Sequence, residues 1–137
     1  SDLLDAKYAD DRGSPALDQL TLARFIASGA LDRHCRRCRL HYRATRDLLV
    51  QTLHRDAPDV RVEGIAAGLH LLAWLAPGCD EASVIATGAQ SSVGLYGLGD
   101  CTSPQRPQPP ALVVGYGGIP KYNLSAALEA LTAVVAR

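Results

Sequence analysis

The sequence contains no methionine, one tryptophan, one phenylalanine and only two lysines, Lys7 and Lys121. It has no excess of either charge, because 14 basic and 14 acidic residues cancel to a formal net charge of zero. That balance removes any global attraction to nucleic acid or an anionic membrane and leaves only local patches to act. The longest apolar stretch, around Leu69–Ala76, falls well short of the roughly 18 residues a spanning helix needs, so no membrane partner is expected. Four cysteines (Cys35, Cys38, Cys79 and Cys101) are too few for a disulfide scaffold at this length and favour a reduced, cytoplasmic setting. Ser1-Asp2-Leu3-Leu4-Asp5 has neither the basic flank nor the apolar segment of a signal peptide. With no initiator methionine, the chain reads as a processed product or a piece of something longer.

What is present is an ordinary globular composition, 47% hydrophobic and 20% charged, over 137 residues. That length suits one domain with its own core. Ser14 and Pro15 predict a helix start, with Leu17, Leu20, Ala23 or Arg24, and Ala27 recurring at helical spacing and Gly29 as a stop or kink. A long helix is predicted from about Leu31 to His54. Leu31, Cys35, Cys38, Tyr42, Thr45, Leu49 and Thr52 or Leu53 alternate at four and three residues and so share one face. Arginines occupy the other face. After Pro58 the period shortens: Val60–Glu63 alternates like a half-buried strand, and Leu69–Ala76 reads as a central one. Asp80 can cap a helix reaching about Ala89, with Glu81 in its first turn. Val93–Leu98 and Leu112–Tyr116 complete the strands, separated by a loop holding four prolines. Asn123 is placed to cap a last helix with Leu124, Ala127, Leu128, Leu131 and Val135 facing the core. The expected fold is an α/β two-layer sandwich, a small sheet of about four strands covered by helices on one face.

These residues also resemble a known family. The run Leu17–Gly29, then Leu31-Asp32-Arg33-His34-Cys35-Arg36-Arg37-Cys38-Arg39, is similar to the MocR (GabR-like) transcriptional regulators of the GntR superfamily. Further matches are Tyr42-Arg43 with Arg46-Asp47, Gly64–His70, Pro77–Glu81 and Gly115-Tyr116. Such regulators join a winged helix-turn-helix domain to a fold-type I aminotransferase-like domain that binds pyridoxal phosphate. The resemblance implies that residues 1–137 form the C-terminal small domain of the latter, with 1–29 as a lead-in segment and helix. It implies a large aminotransferase-like domain and a partner subunit as neighbours, a homo-oligomer, a small amino-acid-like effector, and DNA reached only through a missing N-terminal domain. It further implies pyridoxal phosphate in the full-length protein but none held by this chain, since neither Lys7 nor Lys121 lies in a context suited to the Schiff-base role. The competing reading is the small domain of a true aminotransferase, and a third is a stand-alone binding module.

Few residues carry chemistry. His34, Cys35, Cys38 and His41 are ligand-like in spacing, but all come from one helix and the cysteines lie on its apolar seam, which favours packing over metal. Arg33, Arg36, Arg37, Arg39, Arg43 and Arg46 form a basic stripe that could meet phosphates, although no readout residues are interleaved and a solvated face explains it as well. The resemblance places His70 near the effector cleft, and a hydrogen-bonded structural histidine is the equal alternative. Arg106, in the proline-rich loop, is the nearest arginine that could grip an effector carboxylate, against a solvent-exposed loop arginine. No catalytic, cofactor-binding or metal residues are assigned.

Overall fold

A computed structural model describes residues 2–11, 15–65, 68–103 and 108–136. The chain separates into two compact units, Ser1–Arg39 and Leu40–Arg137. The first holds α1 (Asp2–Asp11), α2 (Ala16–Ala27) and the start of α3 (Ala30–Asp56). Pro15, extended at φ −65°, precedes α2, while Ser14 lies outside the described residues. Gly29 ends α2 with φ +67°, a left-handed conformation that glycine adopts without a Cβ clash. All of α2 is exposed, including Leu17, Leu20, Leu22, Phe25 and Ile26.

The seam read along α3 is its least exposed face. Leu31, Cys35, Cys38 and Tyr42 are half-buried, and Thr45, Leu49, Thr52 and Leu53 are buried. The periodicity of 3.6 residues per turn and the pattern of burial therefore coincide. One basic residue departs from its expected solvated face. The Arg46 side chain is only 20% exposed, and it donates to Gly64 O at 3.3 Å and pairs with Asp47.

The second unit builds a four-stranded antiparallel sheet in the order β1 (Arg61–Glu63), β2 (His70–Trp74), β4 (Ala111–Gly115), β3 (Tyr96–Gly97). Leu71 and Ala73 of β2 stand opposite Val114 and Leu112 of β4, and all four are buried. They pack with Leu49 and Leu53 of α3 and with Leu128, Leu131, Val134 and Val135 of α5 (Leu124–Val135). The helices thus cover one sheet face, as the two-layer reading requires. The other face carries His70, Leu72 and Trp74 beside Val113 and Tyr96.

Two local expectations fail for clear reasons. The strand expected over Val93–Leu98 shrinks to Tyr96–Gly97, because Val93 N–H bonds back to Gly88 O of α4 (Glu81–Gln90) at 2.8 Å instead of joining a ladder. Asn123 precedes α5 but makes no capping hydrogen bond. A 3-10 turn, Lys121–Asn123, runs into the helix and holds Asn123 at φ −99°, ψ −5°, away from the extended backbone that aims a cap side chain at the helix. Asp80 does cap α4, accepting from Ser83 N–H at 3.1 Å.

Candidate functional site

His70 opens β2 directly across the ladder from Gly115. A Cβ on Gly115 would meet the imidazole Cδ2 and Nε2 at 3.2 and 3.3 Å, so the missing side chain is what gives the ring its place. The preceding segment is tied down by β4's continuation. Tyr116 N–H bonds Leu69 O at 2.9 Å, and Tyr116 OH donates to Gly68 O at 2.6 Å. Gly117 adds a close backing, since a Cβ there would lie 3.3 Å from the Leu69 side chain. His70 itself is exposed, and among the described residues its imidazole has no hydrogen-bond partner.

Two cavities flank this scaffold. The first, about 460 Å³, is lined by Leu49, Val93, Leu95, Val114, Gly115 and the inner side of α5, with Ser91, Ser92 and Asn123 as polar members. His70 is not among its walls, because it stands on the opposite sheet face from Val114. The second, about 540 Å³, lies between Cys79, Asp80, Glu81, Gly99, Thr102, Ser103, Gln108 and Pro110. Arg106 lies outside the described residues.

Glu81 organises the second cavity, a role sequence reasoning missed. One carboxylate oxygen accepts from Gly99 N–H at 3.1 Å and the other from Ala111 N–H at 2.9 Å. The side chain thereby bridges the two ends of the proline-rich loop to the start of α4. The fit demands glycine at 97, where a Cβ would fall 2.1 Å from Glu81 Oε1. Nothing in the local sequence signals this bridge, because its partners are 18 and 30 residues away.

The candidate metal constellation resolves differently. Cys38 Sγ and His34 Nε2 are 3.4 Å apart, while Cys35 is half-buried and hydrogen-bonds to neither. Among the described residues no three ligand-type side chains converge. The cysteines are not members of the buried core that the seam position suggested, since both remain half-buried.

Comparison with known proteins adds two independent likenesses. The chain is 30% identical over 117 residues to an uncharacterized HTH-type transcriptional regulator of Bacillus subtilis, YhdI, an alignment covering 85% of this chain and 25% of that protein. A second regulator of the same name class and organism, YdeL, is 26% identical over 116 residues, covering 84% of this chain and 25% of its own length. In three dimensions the chain superposes on the kynurenine aminotransferase of Pyrococcus horikoshii, solved with PMP, at a TM-score of 0.78 and 18% identity, covering 95% of this chain and 32% of the other. It matches the α-aminoadipate aminotransferase of Thermus thermophilus at 0.76 and 17%, covering 97% and 34%. The chain is similar in sequence to part of these HTH-type transcriptional regulators and shares its fold with part of the aminotransferases. This bears out the resemblance read from the motifs, and the mixed fold with its four-stranded sheet agrees with the fold-type I neighbours. No family model matches the chain. The segment spans about a quarter of the curated relatives and about a third of the solved aminotransferases.

Proposed function

We propose that this chain is the C-terminal small domain of a pyridoxal-phosphate-dependent MocR-type regulator, with residues 1–29 leading into it. One observation carries the reading: sequence similarity points to HTH-type regulators while the fold is that of aminotransferases. In the parent protein the domain would close one side of an effector cleft and pack against the large domain and a partner subunit. Closure on an amino-acid-like effector would then shift the regulator between DNA-binding states, because a ligand moves an equilibrium only through its different affinity for the two states. His70 is the residue we assign to that cleft, supported by its free imidazole and by the Gly115 notch that seats it. Arg106 is the proposed carboxylate partner on sequence grounds alone.

The residues present do not fit a covalently held pyridoxal phosphate. Lys7 in α1 and Lys121 in the 3-10 turn are both exposed, whereas such a lysine needs a desolvated, walled site. The parent polypeptide should retard operator DNA in a manner that responds to an amino-acid effector, and His70→Ala should weaken the effector response by about tenfold or more, as loss of one charged or polar contact would. Robust transamination without DNA binding would instead establish the aminotransferase alternative. An absorbance band from pyridoxal phosphate bound to the isolated chain, abolished by Lys7→Ala, would overturn the lysine-free account.

A further inference from the structure

Cys38 carries a feature that packing does not require. Its sulfur lies 3.4 Å from His34 Nε2, one helical turn earlier, on a stretch of α3 that also bears Arg33, Arg36, Arg37 and Arg39. A nucleophile and a base within hydrogen-bond reach is the arrangement that activates a thiol. Cys38 is half-buried and His34 exposed, so a small reagent can reach the pair from solvent. Cys79 and Cys101 have no comparable imidazole partner among the described residues.

We infer that Cys38, assisted by His34, is a reactive thiol that takes hydroperoxides as its oxidant. Cys38 Sγ attacks the terminal peroxide oxygen while the thiol proton passes to His34 Nε2. An S–O bond forms and the O–O bond breaks. The leaving alkoxide or hydroxide carries away the electron pair and then takes the proton from the imidazolium. Sulfur is oxidised by two electrons to a sulfenic acid, and the peroxide is reduced to an alcohol or water.

Accessibility alone would rank the thiols the other way, because Cys101 is exposed and Cys38 is not. That opposition supplies the test. The chain, in a Cys35→Ser background so that no neighbouring thiol consumes the product, is treated with hydrogen peroxide and dimedone. Peptide mass spectrometry then reads the labelling rate at Cys38, Cys79 and Cys101. Cys38 should react about tenfold faster than Cys101, the lower end of what a positioned base contributes. In His34→Ala and in His34→Gln the Cys38 rate should fall to that of Cys101 or below. Glutamine retains hydrogen-bonding groups but cannot serve as the base, so it separates proton transfer from mere contact. Both replacements suit an exposed helical position, and unchanged circular dichroism confirms the fold. Cys38 reacting no faster than Cys101, or unchanged in His34→Gln, would overturn the inference.

Discussion

The hydroxyl of Tyr116 shows how one atom can set a functional neighbourhood. The residue is 2% exposed, and its hydroxyl reaches back 48 positions to Gly68 O, fixing the approach to His70. Tyr116→Phe should cost about 1 kcal/mol in denaturant unfolding, the net value of a typical intramolecular hydrogen bond, and should loosen amide protection at Leu69 and His70 in hydrogen exchange. Arg55 and Asp56 make a different kind of pair at the end of α3. A carboxylate there opposes the helix dipole, and the two hydrogen bonds from the Arg55 guanidinium, at 2.6 and 2.7 Å, hold the Asp56 carboxyl below its ordinary range. A lowered folded value means that the contribution is present above the ordinary carboxylate range and is lost as pH falls through the folded one. Both groups are exposed, so the effect on stability is small. Arg55→Ala should move the Asp56 titration upward when followed by NMR.

Among the elements, α4 joins the loop to the sheet. Glu81 accepts hydrogen bonds from both ends of the proline-rich segment, so Glu81→Ala leaves two backbone N–H groups to find other partners. A loss of about 2–4 kcal/mol is expected from two such groups, measured as a shift in urea midpoint. Gly97→Ala should produce a loss of about 1–3 kcal/mol by driving a methyl group into the same carboxylate. If Gly97→Ala were neutral while Glu81→Ala was costly, the bridge would be shown to relax without breaking. The far end of α4 points the other way. Ser92 is held at φ 59°, a conformation that disfavours side-chain-bearing residues, so Ser92→Gly should leave stability unchanged or raise it by up to about 1 kcal/mol.

For the whole molecule, one core and one uncovered surface dominate. Leu53 is completely buried and Leu112 equally so, on facing layers of the second unit. Leu53→Ala should lower stability by about 2–5 kcal/mol, as truncation of a buried leucine leaves a cavity. The first unit contrasts with this, since Leu17, Leu20, Leu22, Phe25 and Ile26 of α2 are all exposed. Apolar surface of that kind promotes association. Light scattering of the isolated chain should show self-association that rises with concentration and is reduced by Leu20→Glu. A clean monomer at high concentration would show that α2 needs no cover.

The positions of the long helix, the two central strands and the last helix were legible in the sequence because burial repeats every 3.6 or 2 residues wherever one face meets a core. The seam from Leu31 to Leu53 and the central place of β2 follow from that alone. Tertiary structure decided everything that depends on partners distant in sequence. It shortened β3 by giving Val93 N–H to Gly88, turned Arg46 inward to Gly64, and made Glu81 a bridge rather than a favourable first-turn charge. It also separated His70 from the cavity beside Gly115, placing the ring on the other sheet face. Periodicity records which side of an element is covered, but the identity of the covering atoms emerges only when the chain closes on itself.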